Sequence, residues 1–147
     1  MKTLLSIIFV GITLLGNVNV NPIKTNTITI TVKNVNGTDG VVAAALYNDE
    51  DEFPGGEMFM GESKSLRSSG SLEITFKNVP DGDYAIALLH DANENDDLDM
   101  NDQGMPLEGF GFSNGAMGDM GPPDFDQAAF TVDGDVALEI RLIYMNF

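Results

Sequence analysis

Tyr84-Ala-Ile-Ala-Leu-Leu89 runs without a break into His90-Asp-Ala-Asn-Glu-Asn-Asp-Asp-Leu-Asp-Met-Asn-Asp102, an apolar run that feeds directly into an acidic loop. Oxygen-bearing side chains recur at Asp91, Asn93, Asn95, Asp97 and Asp99, and Asp102 closes the run. Calcium takes about 6–8 oxygens at roughly 2.3–2.6 Å, and a short loop supplies them from positions 1, 3, 5, 7, 9 and 12. Two places depart from that scheme: Asp96 stands where the sharp turn favours Gly, and Asp102 where a two-oxygen Glu is usual. Asp enters the left-handed region more readily than most residues, so the turn survives, while the shorter carboxylate at the last place grips less firmly. The flanks choose between a helical hand and a strand. The apolar run has strand length, and Gly104 and Pro106 forbid an exiting helix, so a β-strand delivers the acidic loop.

Asp and Asn are also common in plain solvated turns, because their side chains bond nearby backbone groups. Yet Asp91, Glu94, Asp96, Asp97, Asp99 and Asp102 crowd one short segment, and a bound cation best relieves their mutual repulsion. Ca2+ is therefore the expected cofactor. His90, the single histidine, stands at the strand end and is expected to orient a carboxylate of the loop. A soft-metal site with Met105, Met117 and Met120 beside it is the competing use.

Working outward, Thr27-Ile-Thr-Ile-Thr-Val32 alternates with period two, the mark of a half-buried strand. Asn36-Gly37 and Asp39-Gly40 mark a turn into the apolar strand Val41–Tyr47, and the pair reads as a hairpin. Met58–Leu66 is weakly strand-like, Leu72–Phe76 alternates strongly, and Pro80-Asp-Gly82 turns the chain into Asp83–Leu89. Ala128–Val132, Asp133-Gly134 and Val136–Ile143 read as a final hairpin. About seven strands with scarce helix predict an all-β, single antiparallel β-sandwich.

Between Met100 and Phe125 lies a long glycine-rich connection, and long loops of this kind are often functional. Its Phe110, Phe112 and Phe125 either pin it to the sandwich or expose an apolar patch, and a glycine-rich loop needs anchors to offset its ordering entropy. Gly111-Phe-Ser-Asn-Gly115 fits the hydrolase elbow G-x-S-x-G, but that motif needs a following helix and a later histidine, and the only histidine precedes Ser113. No enzyme activity is expected.

The chain opens with Lys2 and the apolar run Leu4–Leu15, then turns small and polar, which predicts a signal peptide over residues 1–20 with the cut between Gly16 and Asn21. Residues 21–147 remain as one domain. The chain has 23 acidic and 7 basic residues, a net charge of −16, and loss of Lys2 leaves −17. Such a surface repels phosphate backbones and anionic lipid, so nucleic acid is excluded as a partner and no stable membrane insertion is expected after cleavage. Absence of cysteine removes disulfides and the lipid-bearing Cys of a lipoprotein. The expected location is periplasmic or extracellular.

The run Gly82-Asp-Tyr-Ala-Ile-Ala, His90-Asp-Ala-Asn-Glu-Asn, Leu98-Asp99, Gly104-Met-Pro, Glu108-Gly-Phe-Gly-Phe-Ser-Asn114, Gly121-Pro-Pro-Asp-Phe125 and Ala128-Ala-Phe130 resembles the bacterial family called domain of unknown function 2141. The opening strand, Ala43, Leu46-Tyr47 and Phe53-Pro54 extend the likeness over nearly the whole segment after the signal. The resemblance implies a secreted or periplasmic β-sandwich of transthyretin-like or carboxypeptidase-regulatory-like shape, without an assigned reaction. The family's D-x-N-x-N-G is matched by Asp91, Asn93 and Asn95, with Asp96 in place of the glycine. Two functions follow as expectations. One is a non-enzymatic module with a structural calcium loop built from Asp91, Asn93, Asn95, Asp97, Asp99 and Asp102. The other is a module that binds a glycan or small molecule through Phe110, Phe112 and Asn114.

Overall fold

The alternation of Thr27–Val32 extends in both directions in the computed structural model, which describes residues 23–145; the expected signal peptide lies outside the described residues. Strand β1 spans Thr25–Val35, and its even residues Ile28, Ile30 and Val32 are fully buried while the threonines between them stay half-exposed. The chain continues through β2 (Val41–Tyr47), β3 (Met60–Ser65), β4 (Gly70–Pro80), β5 (Gly82–Asp91), β6 (Gly109–Phe112), a 3-10 turn (Ser113–Gly115), the single-turn helix α1 (Phe125–Ala128), β7 (Phe130–Val132) and β8 (Val136–Arg141).

These form two sheets, one ordered β4-β1-β8 and the other β3-β2-β5-β6 with β7 also paired to β5. Their inner faces meet in one core. Ile74 and Phe76 from β4 and Ile140 from β8 face Val42 and Leu46 from β2 and Ile86 and Leu88 from β5. The period-two pattern thus places one row of each strand in the core and releases the other row to the outside. The all-β sandwich expected from the sequence is the fold observed.

Connectivity departs from expectation in three places. Strands β1 and β2 are not a hairpin: β1 is paired on both edges, to β4 and to β8, so the Asn36–Gly40 turn carries the chain to the opposite sheet. Strands β7 and β8 are likewise separated, β7 beside β5 and β8 beside β1. Local turn signals report that a chain reverses, not which neighbour it meets. The β1–β8 pair is parallel, Ile28 facing Val136 through Lys33 facing Arg141, so the sandwich is not wholly antiparallel. Among the described residues there are eight strands where about seven were expected, the added one being Gly109-Phe-Gly-Phe112 inside the glycine-rich connection, which forms β6 against Ala87–His90. Its glycines are needed for contact: a Cβ on Gly109 would lie 2.5 Å from the Tyr144 ring, and one on Gly111 would lie 2.8 Å from the Arg141 carbonyl. Backbone hydrogen bonds between Phe110 and Ile143 then tie the two sheets together on that side. Among the described residues no helix is long and apolar enough to cross a membrane.

Gly40 holds the turn between the sheets against the acidic loop. Its φ is +73°, and an added Cβ would lie 2.0 Å from the Asp91 carbonyl oxygen and 2.6 Å from the Ala92 Cα. Gly37 is also left-handed, at φ +90°, but faces open space. Urea unfolding should therefore separate the two: Gly37→Ala is expected to cost about 1–2 kcal/mol, from backbone strain alone, and Gly40→Ala more than about 3 kcal/mol, because a rigid backbone must move.

Candidate acidic-loop site

Asp91 is the last residue of β5 and only 1% exposed, whereas residues 92–97 are exposed. A buried carboxylate must be compensated by hydrogen bonds. Here the Asn95 amide donates to Oδ1 at 3.1 Å and the Asp96 amide to Oδ2 at 2.8 Å. The loop winds around that anchor. Asn93 Oδ1 accepts from the Asn95 amide and Asn95 Oδ1 from the Asp97 amide, two successive Asx turns. Asp96, at the sixth place, adopts φ +64°, and Glu94 φ +58°, so the left-handed turn forms without glycine.

Asp99 is met by both asparagines: Asn93 Nδ2 donates to Oδ2 at 2.6 Å and Asn95 Nδ2 to Oδ1 at 3.1 Å. Asp91, Asn93, Asn95 and Asp99 are thereby drawn into one hydrogen-bonded group. Asp97 joins through its backbone, and its side chain is exposed. Asp102 lies elsewhere in the loop. The chain folds at Asn101–Gly104 into a small hairpin, with Met100 bridged to Pro106 and the Leu107 amide donating to the Asp99 carbonyl, and Asp102 sits exposed at its tip. The return arm delivers a carboxylate that the sequence reading missed. Glu108, 8% exposed, accepts the Ala92 amide at 2.9 Å through Oε1 and the Asp99 amide at 3.2 Å through Oε2, so it clasps both ends of the loop. A single acid inside Leu107-Glu-Gly-Phe110, just after a Gly-x-Pro turn, was the available signal. Among the described residues no three Asp, Glu, His or Cys side chains stand together as metal ligands, so any cation here would depend on the asparagine oxygens as well.

His90 does not orient Asp91. Neighbouring strand residues point to opposite faces, and the buried His90 ring contacts the Asp39 carbonyl through Nε2 (3.0 Å) and the Tyr144 hydroxyl through Nδ1 (2.8 Å). A carbonyl only accepts, which assigns the proton to Nε2 and makes Nδ1 the acceptor of the Tyr144 O–H. Tyr144 Oη in turn accepts the Asn36 amide at 3.0 Å, and burial raises the phenol's pKa. With both ring nitrogens engaged and Met120 fully exposed, the thioether site has no free imidazole.

The second set of candidate residues is spent on packing. Phe110 is 8% exposed, and Phe112 stacks edge-on against Phe53 at 5.8 Å, with Phe125 and Tyr47 on the same ring at 5.9 and 5.4 Å. Asn114 Nδ2 donates to the Ala129 carbonyl at 2.7 Å. Ser113 is fully buried, its Oγ accepting the Ile86 amide at 2.9 Å and donating to the Ala128 carbonyl at 2.5 Å. It is a strut between β5 and the Ala128 carbonyl.

Removing a partner from a buried pair leaves the other unsatisfied. Glu108→Gln keeps one acceptor and faces a donor with its amide, so its chemical denaturation midpoint should drop by the equivalent of about 1.5–3 kcal/mol. Tyr144→Phe should cost about 1–3 kcal/mol by the same measurement, since it leaves Nδ1 of the buried His90 without its donor.

No curated protein and no solved structure matches this chain. The sequence model of one bacterial family, described as "Uncharacterized protein conserved in bacteria (DUF2141)", matches residues 30–139, from β1 into β8 and across the whole acidic loop. The chain belongs to that family.

Proposed function

We propose that this chain is an exported, non-catalytic β-sandwich module, working in the periplasm or outside the cell, whose acidic loop binds calcium as a structural brace. The observation that carries the reading is the winding of Asp91, Asn93, Asn95 and Asp99 into one group around a buried carboxylate. Hard cations seek such oxygen sets. Side-chain oxygens of those four residues and the Asp97 carbonyl would contribute, and Glu108 is favoured over Asp102 as the closing carboxylate because it already spans Ala92 and Asp99. The Asn93 and Asn95 side-chain amides donate to the Asp99 carboxylate, and calcium would take over that contact. Export is supported by the order of charged, apolar and polar residues in the first 20 positions. The sealed Ser113 and the doubly engaged His90 favour a non-catalytic reading.

A glycan or small-molecule module built on Phe110, Phe112 and Asn114 is the alternative, and it draws less support because Phe110 is buried, Phe112 packs on Phe53 and the exposed Asn114 donates to the Ala129 carbonyl. The test is thermal unfolding in EDTA and then in millimolar calcium or magnesium, for the native chain and for Asp99→Asn. A calcium-selective rise of about 2.7 kcal/mol at a hundredfold excess over Kd, lost in the variant, is expected. An unchanged midpoint in every cation would return residues 91–102 to a self-bonded acidic turn.

A further inference from the structure

At the end of the sandwich opposite the acidic loop, β2 leaves at Tyr47 beside Ala85, and β6 delivers Phe112 beside Ala87. Segments 48–60 and 113–127 cover this end. They hold eight Asp and Glu and no Lys or Arg, and all of those carboxylates except Glu52 are exposed. Acidity alone would describe a solvated rim. The same segments also carry four of the seven exposed large apolar side chains of the described residues: Met58 (50%), Phe59 (40%), Met117 (42%) and Met120 (100%).

The Phe53, Phe112 and Phe125 rings form a half-buried aromatic cluster between them. Glu52 precedes Phe53, and Asp124 and Asp126 flank Phe125, so the rings lie among carboxylates. Glu52 also adds to the burial that raises the Tyr47 phenol's pKa, a sign of negative potential under the cluster. Methionines suit an adaptable binding face because they are flexible and polarisable, and aromatic rings attract cations through their faces. A second copy of this chain would bring like charge to like charge.

We propose that this end of the sandwich is a docking surface for a basic amphipathic polypeptide segment, one whose Lys or Arg side chains meet the carboxylates while its apolar face covers Met117, Met120 and the phenylalanine cluster. Charge complementarity fixes the sign of the partner, and the exposed methionines require that it also carry an apolar face.

The test titrates the purified protein, labelled for amide NMR, with a short Lys/Leu peptide of helical period and with oligolysine of equal charge. Shifts confined to residues 48–60 and 113–127 are expected, with oligolysine at least about tenfold weaker. The double variant Met117→Ser, Met120→Ser alters exposed side chains, should keep the native unfolding midpoint, and should weaken the Lys/Leu peptide about tenfold. Asp124→Asn with Asp126→Asn should weaken it and flatten its salt dependence, whereas Glu73→Gln with Glu139→Gln, on the outer face of the β4-β1-β8 sheet, should not. Equal loss from both charge pairs, equal affinity for oligolysine, or shifts centred elsewhere would overturn the proposal. So would dimers that the methionine variant dissociates without any peptide binding.

Discussion

The buried Asp91 carboxylate is the constraint on which the organised part of this molecule depends. Taking an ionised group out of water is affordable only when fixed donors replace the solvent, and the donors nearest to hand are amides of the loop that Asp91 itself begins. The loop is therefore wound by its own first residue. Glu108 repeats the device from the other side, and together the two carboxylates hold a segment with no regular secondary structure in one conformation. Gly40 then allows the turn between the sheets to pack directly against the Asp91 carbonyl, which couples the loop to the core.

Much of this was legible in the sequence, and the boundary of legibility is physical. Strand positions and the buried row follow from period-two alternation, as in Thr27–Val32, because burial acts on each residue locally. Pairing does not follow from it. Asn36-Gly37 and Asp133-Gly134 announce reversals, yet both turns pass between sheets, since the partners of β1 and β7 are strand residues 35 or more positions away. The left-handed Asp96 and the anchored phenylalanines agree with expectations drawn from residue chemistry.

Within the acidic loop, Asp91, Asn93, Asn95 and Asp99, grouped by their spacing, share hydrogen bonds, whereas Asp102 lies apart from them. A linear register assigns the twelfth place to Asp102, whereas the hairpin at Asn101–Gly104 turns that residue outward and returns Glu108 instead. His90 illustrates the same limit. Adjacency in sequence placed it with Asp91, but the pleat sends the two side chains to opposite faces, and its partners come from Asp39 and Tyr144, each more than 50 residues distant.

The parallel pairing of β8 with β1 has a consequence for how the chain becomes a protein. Thr27-Ile-Thr-Ile-Thr-Val32 is a β-prone segment of low charge whose second edge is covered only once residues 136–141, more than 100 positions further along the chain, have docked. Until then that edge is an open template for pairing with another chain. Contacts of such long sequence separation form slowly. The hazard thus falls before β8 docks, and a chain cut just short of β8 would yield an aggregating fragment rather than a merely weakened fold.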